Sequence, residues 1–174
     1  MQQSRAYVLP PFLRRSPQRV ALLFAVSLLW TSGATRAVTP QMENLDLRIE
    51  GAERIVVARV RDVAPEWREN EYGDQLIVSR VELEVGETLK GDGAQTVWMD
   101  MEGGALDGLT LRVSHLPELQ HGERAVFFLA PVSRGVYGPL HGGDGILPLD
   151  EDDVVRGTTW RLDDIRGRAR GLGR

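Results

Sequence analysis

From Ile77 the odd positions Val81, Leu83, Val85 and Leu89 are apolar, while Arg80, Glu82 and Glu84 occupy the even ones. A period of two sends successive side chains to opposite faces, so this stretch reads as a long, half-buried strand. It closes on the turn Lys90-Gly91-Asp92-Gly93. A chain committed to one such strand must find other strands to cover its apolar face.

The neighbouring segments supply them. ERIVVARVRDV, residues 53–63, is rich in β-branched side chains and closes on Pro65, which predicts a largely buried strand followed by a polar loop to Asp74. In TVWMDME, Val97, Met99 and Met101 share one face, with Trp98 and Asp100 on the other; LTLRV alternates again at Leu109, Leu111 and Val113. The unbroken apolar run Ala125–Ala130 in RAVFFLAP predicts a central strand buried on both faces. Shorter strands are expected at 136–140 and 145–149, and a further one at 158–162, between glycine-rich turns. One short helix opens the domain, with Thr39-Pro40 as cap and first position and Met42, Leu45 and Ile49 at helical spacing before Gly51. Short, closely spaced strands of this kind predict an all-β fold, a closed or partly open barrel or sandwich, as one domain over residues 38–162. Residues 163–174 show no apolar periodicity and are expected to form a disordered tail.

Ahead of this domain stands a different kind of segment. Arg5, Arg14, Arg15 and Arg19 precede VALLFAVSLLW, an uncharged run of 11 residues from Val20 to Trp30, and small residues follow in TSGATRA. That order is a cleavable secretory signal over residues 1–37, too short in its apolar core to serve as a stable anchor. Cleavage is expected after Ala37, with Ala34 as the alternative. The protein would then be periplasmic or extracellular.

Removing the signal changes the charge. It holds five of the 21 basic residues and none of the acidic ones, so residues 38–174 carry 16 basic residues against 25 acidic, a net charge of −9. An acidic surface repels phosphates, which argues against nucleic acid and anionic lipid as partners. With no cysteine in the chain, burial alone must hold the fold.

The order of landmarks carries a resemblance. IVVARVRDV, the long strand ending VELEVGETLKGD, the GERAVFFLAP strand and the glycine-rich GGDGILPL, together spanning roughly residues 42–149, resemble an exported bacterial protein of the netrin-like or tissue-inhibitor-of-metalloproteinase-like type. That resemblance implies an OB-like, five-stranded Greek-key barrel. Netrin-like inhibitors chelate a protease's metal through an N-terminal cysteine, and a chain that lacks cysteine and starts its mature form near Val38 cannot use that mechanism.

Chemical motifs are sparse. His115, His121 and His141 are the only histidines and are weak metal candidates, since no H-E-x-x-H or comparable zinc spacing accompanies them. Asp150, Glu151, Asp152 and Asp153, and again Asp163 and Asp164, run together without the alternation of a calcium loop and read as solvated acidic turns. Ser79, Ser114 and Ser133 lie in no G-x-S-x-G context, and Gly103-Gly104 and Gly142-Gly143 match no phosphate-binding loop. No cofactor is expected. Trp98, Trp67 and Tyr137 are the side chains best suited to meet a partner if exposed, with Trp98 alternatively packing beneath a helix or loop. The expected function is an exported, non-catalytic binding module for a protein or peptide, accessory to or inhibitor of an exported protease. The alternatives are a hydrolytic or metal-dependent enzyme at the histidine loops and a structural envelope protein.

Overall fold

The computed structural model describes residues 45–172. The signal segment, both cleavage positions and the Thr39-Pro40 helix start lie outside the described residues.

The described chain is mostly β, with a helix at each end: α1 (Leu45–Gly51), β1 (Arg54–Glu69), β2 (Gln75–Lys90), β3 (Thr96–Glu102), β4 (Gly104–Leu106), β5 (Leu109–Leu111), β6 (Arg124–Ser133), β7 (Val136–Pro139), β8 (Ile146–Pro148) and α2 (Leu162–Leu172). The main sheet runs β1-β2-β3-β7-β6-β8, and β6 also pairs with β1, so β1, β2, β3, β7 and β6 form a circuit of pairings. All of its joins are antiparallel except β3–β7, a short parallel contact of Trp98 with Val136 and Met99 with Tyr137.

Two clusters fill the two faces of this sheet. Val56, Val60, Val81, Leu83, Val97, Met99 and Phe127 meet on the inner face. On the outer face Ile55, Val57, Val126 and Phe128 pack against Leu45 and Ile49 of α1 and Leu162, Ile165 and Ala169 of α2. Apolar cover on both sides explains why IVVA and AVFFL are continuous apolar runs rather than alternating ones. The alternation of β2 holds through Val85 and then shifts. Val57 pairs with Glu87 and Ala58 with Val85, which leaves Gly86 as the extra residue of a bulge. Leu89 is thereby turned to the outer cluster, and Glu87 to Arg166 of α2.

Three sequence expectations are corrected. β1 does not end before Pro65 but runs on to Glu69, paired with β2 as far as Gln75. Proline is tolerated because β6 pairs with β1 only at residues 54–59, leaving the far half as a sheet edge. Residues 163–172 are not a disordered tail: Leu162, Ile165 and Ala169 form a narrow buried stripe on α2, and Arg166 donates to Glu87 and to Asp163. The strand expected at 158–162 reduces to a bridge between Val154 and Arg161 at the foot of α2.

Candidate functional site

The far half of β1 runs on past β6 with β2 as its one paired neighbour, and the outer face of the hairpin there carries Glu66, Arg68, Leu76, Val78 and Arg80, continued on β3 by Asp100 and Glu102. The β3–β7 ladder stops at Met99 and Tyr137; two residues on, β7 has Pro139, which offers no N–H. The strands part there. At the same level a bulge in β6, between Pro131 and Ser133, lifts Val132 outward to 63% exposure, and its methyl lies where a side chain at Gly138 would stand. The result is a groove of about 450 Å³, lined by the apolar Leu76, Val78 and Val132, by the charged Arg68, Asp100 and Glu102, and by His115 and Gly142.

The charged wall is held rigidly. Asp100 sits opposite Arg80 in the β2–β3 ladder and accepts bonds from Arg80 Nε at 3.0 Å and Arg68 Nη1 at 2.5 Å, with 9% of its side chain exposed. Burial alone would push the Asp100 carboxyl up; the bonds from Arg80 and Arg68 outweigh it and hold it below the ordinary carboxylate value. The same bonds raise both guanidinium groups above their ordinary value. Arg68 also pairs with Glu66, so its fork is engaged on both sides.

Part of the groove's lining comes from the loop between β5 and β6, packed on the glycines after β7. Gly142 and Gly143 pack so closely on His115 that a Cβ at Gly143 would lie 1.8 Å from the His115 carbonyl oxygen. Gly145 is pressed likewise between Leu140 and Phe128 backbone atoms. The HGGDG stretch is therefore a packing device, with His141 itself in the left-handed region at φ 53°.

The histidines are not gathered. His115 lines the groove against Gly142, while the ring of His121, farther along the same loop, bonds to the carbonyl of Arg61 in β1. Among the described residues no three His, Asp or Glu side chains are grouped to hold a metal. The acidic runs serve local structure: Asp150 accepts from the N–H groups of Asp152 and Val154, Asp153 pairs with the side chain of Arg124, and Asp164 accepts from the N–H of Arg161 at the start of α2. Ser79 is buried and donates to the carbonyl of Gly103, with no base beside it.

The aromatic candidates line no part of the groove. Trp98, 41% exposed, lies on the outer face opposite Glu82, and is not covered by a helix. Trp67, equally exposed, is on the inner face and donates its indole N–H to Asp107 in the β4–β5 turn at 3.0 Å. Tyr137 is half-buried against the inner cluster with the guanidinium of Arg54 5.1 Å from its ring centre, which leaves little of it for a partner. Leu76, Val78, Glu102 and Val132 escape a sequence reading because none belongs to a chemical motif; the one available sign is the run of alternating charges on the far side of β2 and β3.

No helix among the described residues is long and apolar enough to cross a membrane. No family model matches the chain, and no curated protein matches it.

Proposed function

We propose that this chain is an exported, non-catalytic binding module of OB-like, closed β-barrel form, holding a protein or peptide partner in the groove between the β1–β2 turn, β3 and Val132. The circuit of five paired strands supports the barrel, because closure of a short sheet on itself needs such a circuit. The netrin-like resemblance adds to that support. OB-type barrels bind across the second and third strands, between the first hairpin turn and the last. The observation that carries the function is the groove itself, an apolar floor with a wall immobilised by the Arg68–Asp100–Arg80 network. Sites built on strands with locked side chains present their contacts without an ordering cost.

The test uses Gly138→Leu, which fills the groove's end beneath Val132 without demanding an unusual backbone. A partner co-purified with the wild type from the periplasm or medium should be lost with this variant while its melting temperature stays close to that of the wild type. Retention of the same partner by a folded Gly138→Leu protein would refute the groove. Export has a separate test: the recovered protein should begin at Val38, or at Thr35 if cleavage follows Ala34, and an intact Met1 start on the recovered protein would refute it.

A further inference from the structure

Backbone groups of β3 face its two edges by turns. At one end of the β2–β3 ladder the N–H of Gly103 donates to the Ile77 carbonyl at 2.8 Å, and at the other the N–H of Val85 donates to the Gln95 carbonyl at 2.9 Å. Odd-numbered residues of β3 therefore exchange their bonds with β2, Met101 with Ser79 among them, and Trp98, Asp100 and Glu102 turn their N–H and C=O groups to the opposite edge. β7 meets that edge only at Trp98 and Met99. The N–H of Leu140 donates to the Phe128 carbonyl at 2.8 Å, so Gly138 bonds toward β6 while Tyr137 and Pro139 face β3. In this parallel register Tyr137 serves Trp98 and the N–H of Asp100, and the next donor due is residue 139, a proline. The Asp100 carbonyl and both backbone groups of Glu102 are left without a ladder partner, and the groove opens there, between Asp100–Glu102 and Gly138–Pro139.

We infer that the partner is held by strand addition: an extended segment of it lies along this edge of β3, donating N–H groups to the Asp100 and Glu102 carbonyls and accepting from the Glu102 N–H. This rests on the binding-groove reading above and specifies how the partner is recognised. The backbone selects the class. A carbonyl, an N–H and a second carbonyl in a row along one strand edge match the backbone of an extended chain, whereas a helix has its own backbone groups bonded internally and would leave them unmet. Alternate side chains of the added strand fall toward Val132 on the outside and toward Leu116, which packs on the inner cluster, on the inside. The other open edges are guarded. β1 beyond Arg59 carries Pro65 and the charged Asp62, Glu66 and Arg68, and β8 is closed by the N–H of Arg156 on the Pro148 carbonyl.

The chain has no cysteine, so Val132→Cys, at an exposed site on the groove's rim, gives a single point for a disulfide tether. Two short peptides are attached there in separate samples, one alternating threonine with valine, the other with proline in place of valine, and amide hydrogen exchange is read residue by residue by NMR. The Glu102 N–H should exchange fast without a peptide and about tenfold more slowly with the threonine–valine peptide, which the tether holds at millimolar effective concentration. The proline peptide, lacking alternate N–H groups, should leave it fast. Met101, bonded to β2, should stay protected in every sample and so reports that the protein is folded. A Glu102 N–H that the threonine–valine peptide does not slow, or that both peptides slow equally, would overturn the inference. If Glu102 is unaffected while Gly138→Leu still loses the co-purified partner, the groove stands and only strand addition falls.

Discussion

In the near half of β1 Ile55, Val56, Val57, Ala58 and Val60 are all buried, whereas in its far half no residue from Asp62 to Glu69 is. The two halves belong to the same unbroken strand pair. What differs is the company they keep. The near half is paired on both edges, by β2 and β6, and covered on its outer face by α1 and α2; the far half is paired with β2 alone. Strand burial is thus set by neighbours rather than by the strand, and the length of hairpin that outruns its neighbours becomes a wall on which polar chemistry can be mounted.

That contrast can be broken by substitution. Phe127→Ala and Phe128→Ala remove fully buried rings from the inner and outer clusters and should each cost about 3–5 kcal/mol in denaturant unfolding. Ile165→Ala should cost about 2–5 kcal/mol, because the side chain is fully buried beneath the sheet's outer face; a negligible change would return residues 163–172 to the status of a tail. Gly143→Ala should cost about 1–3 kcal/mol, since its Cβ would collide with the His115 carbonyl and the loop would have to shift.

Asp100→Asn sharpens the comparison from the side of the far half. It leaves Arg68 and Arg80 without their shared anion and should cost about 1–3 kcal/mol at neutral pH. Because the folded carboxyl lies below its ordinary value, its contribution is present above the unfolded carboxylate pKa and is lost as pH falls through the lower folded one. Unfolding curves of wild type and Asp100→Asn should therefore converge below about pH 4; a constant gap down to strongly acid pH would contradict the pairing. The smallest effect belongs to the tip: Tyr72→Ala, at a residue 81% exposed, should change stability by less than about 0.5 kcal/mol.

How much of this could be read from the chain follows the same division. The period of two in β2 and β3 and the apolar runs of β1 and β6 are local signals, and the elements they predict are present. The extension of β1 past Pro65 was hidden because proline is excluded only from strands with neighbours on both sides, and edge status is not written in a local pattern. α2 was hidden because Leu162, Ile165 and Ala169 are a thin stripe in an arginine-rich segment, meaningful only once α1 and the outer sheet face are in place. The groove was least legible of all. It arises where Pro139 ends a parallel ladder and a bulge raises Val132, both properties of how strands meet rather than of any motif.

In the proposed binding role, the near half of β1 serves the fold while the outer face of its far half, with β3 and Val132, meets the partner. A photoreactive residue placed at Val132, and separately at exposed Leu47 on α1, tests it in cells that export the protein. A discrete crosslinked adduct with one other protein should form from position 132 and be absent from position 47. An adduct of equal yield from both positions, or none from position 132 with the protein folded and exported, would contradict the account.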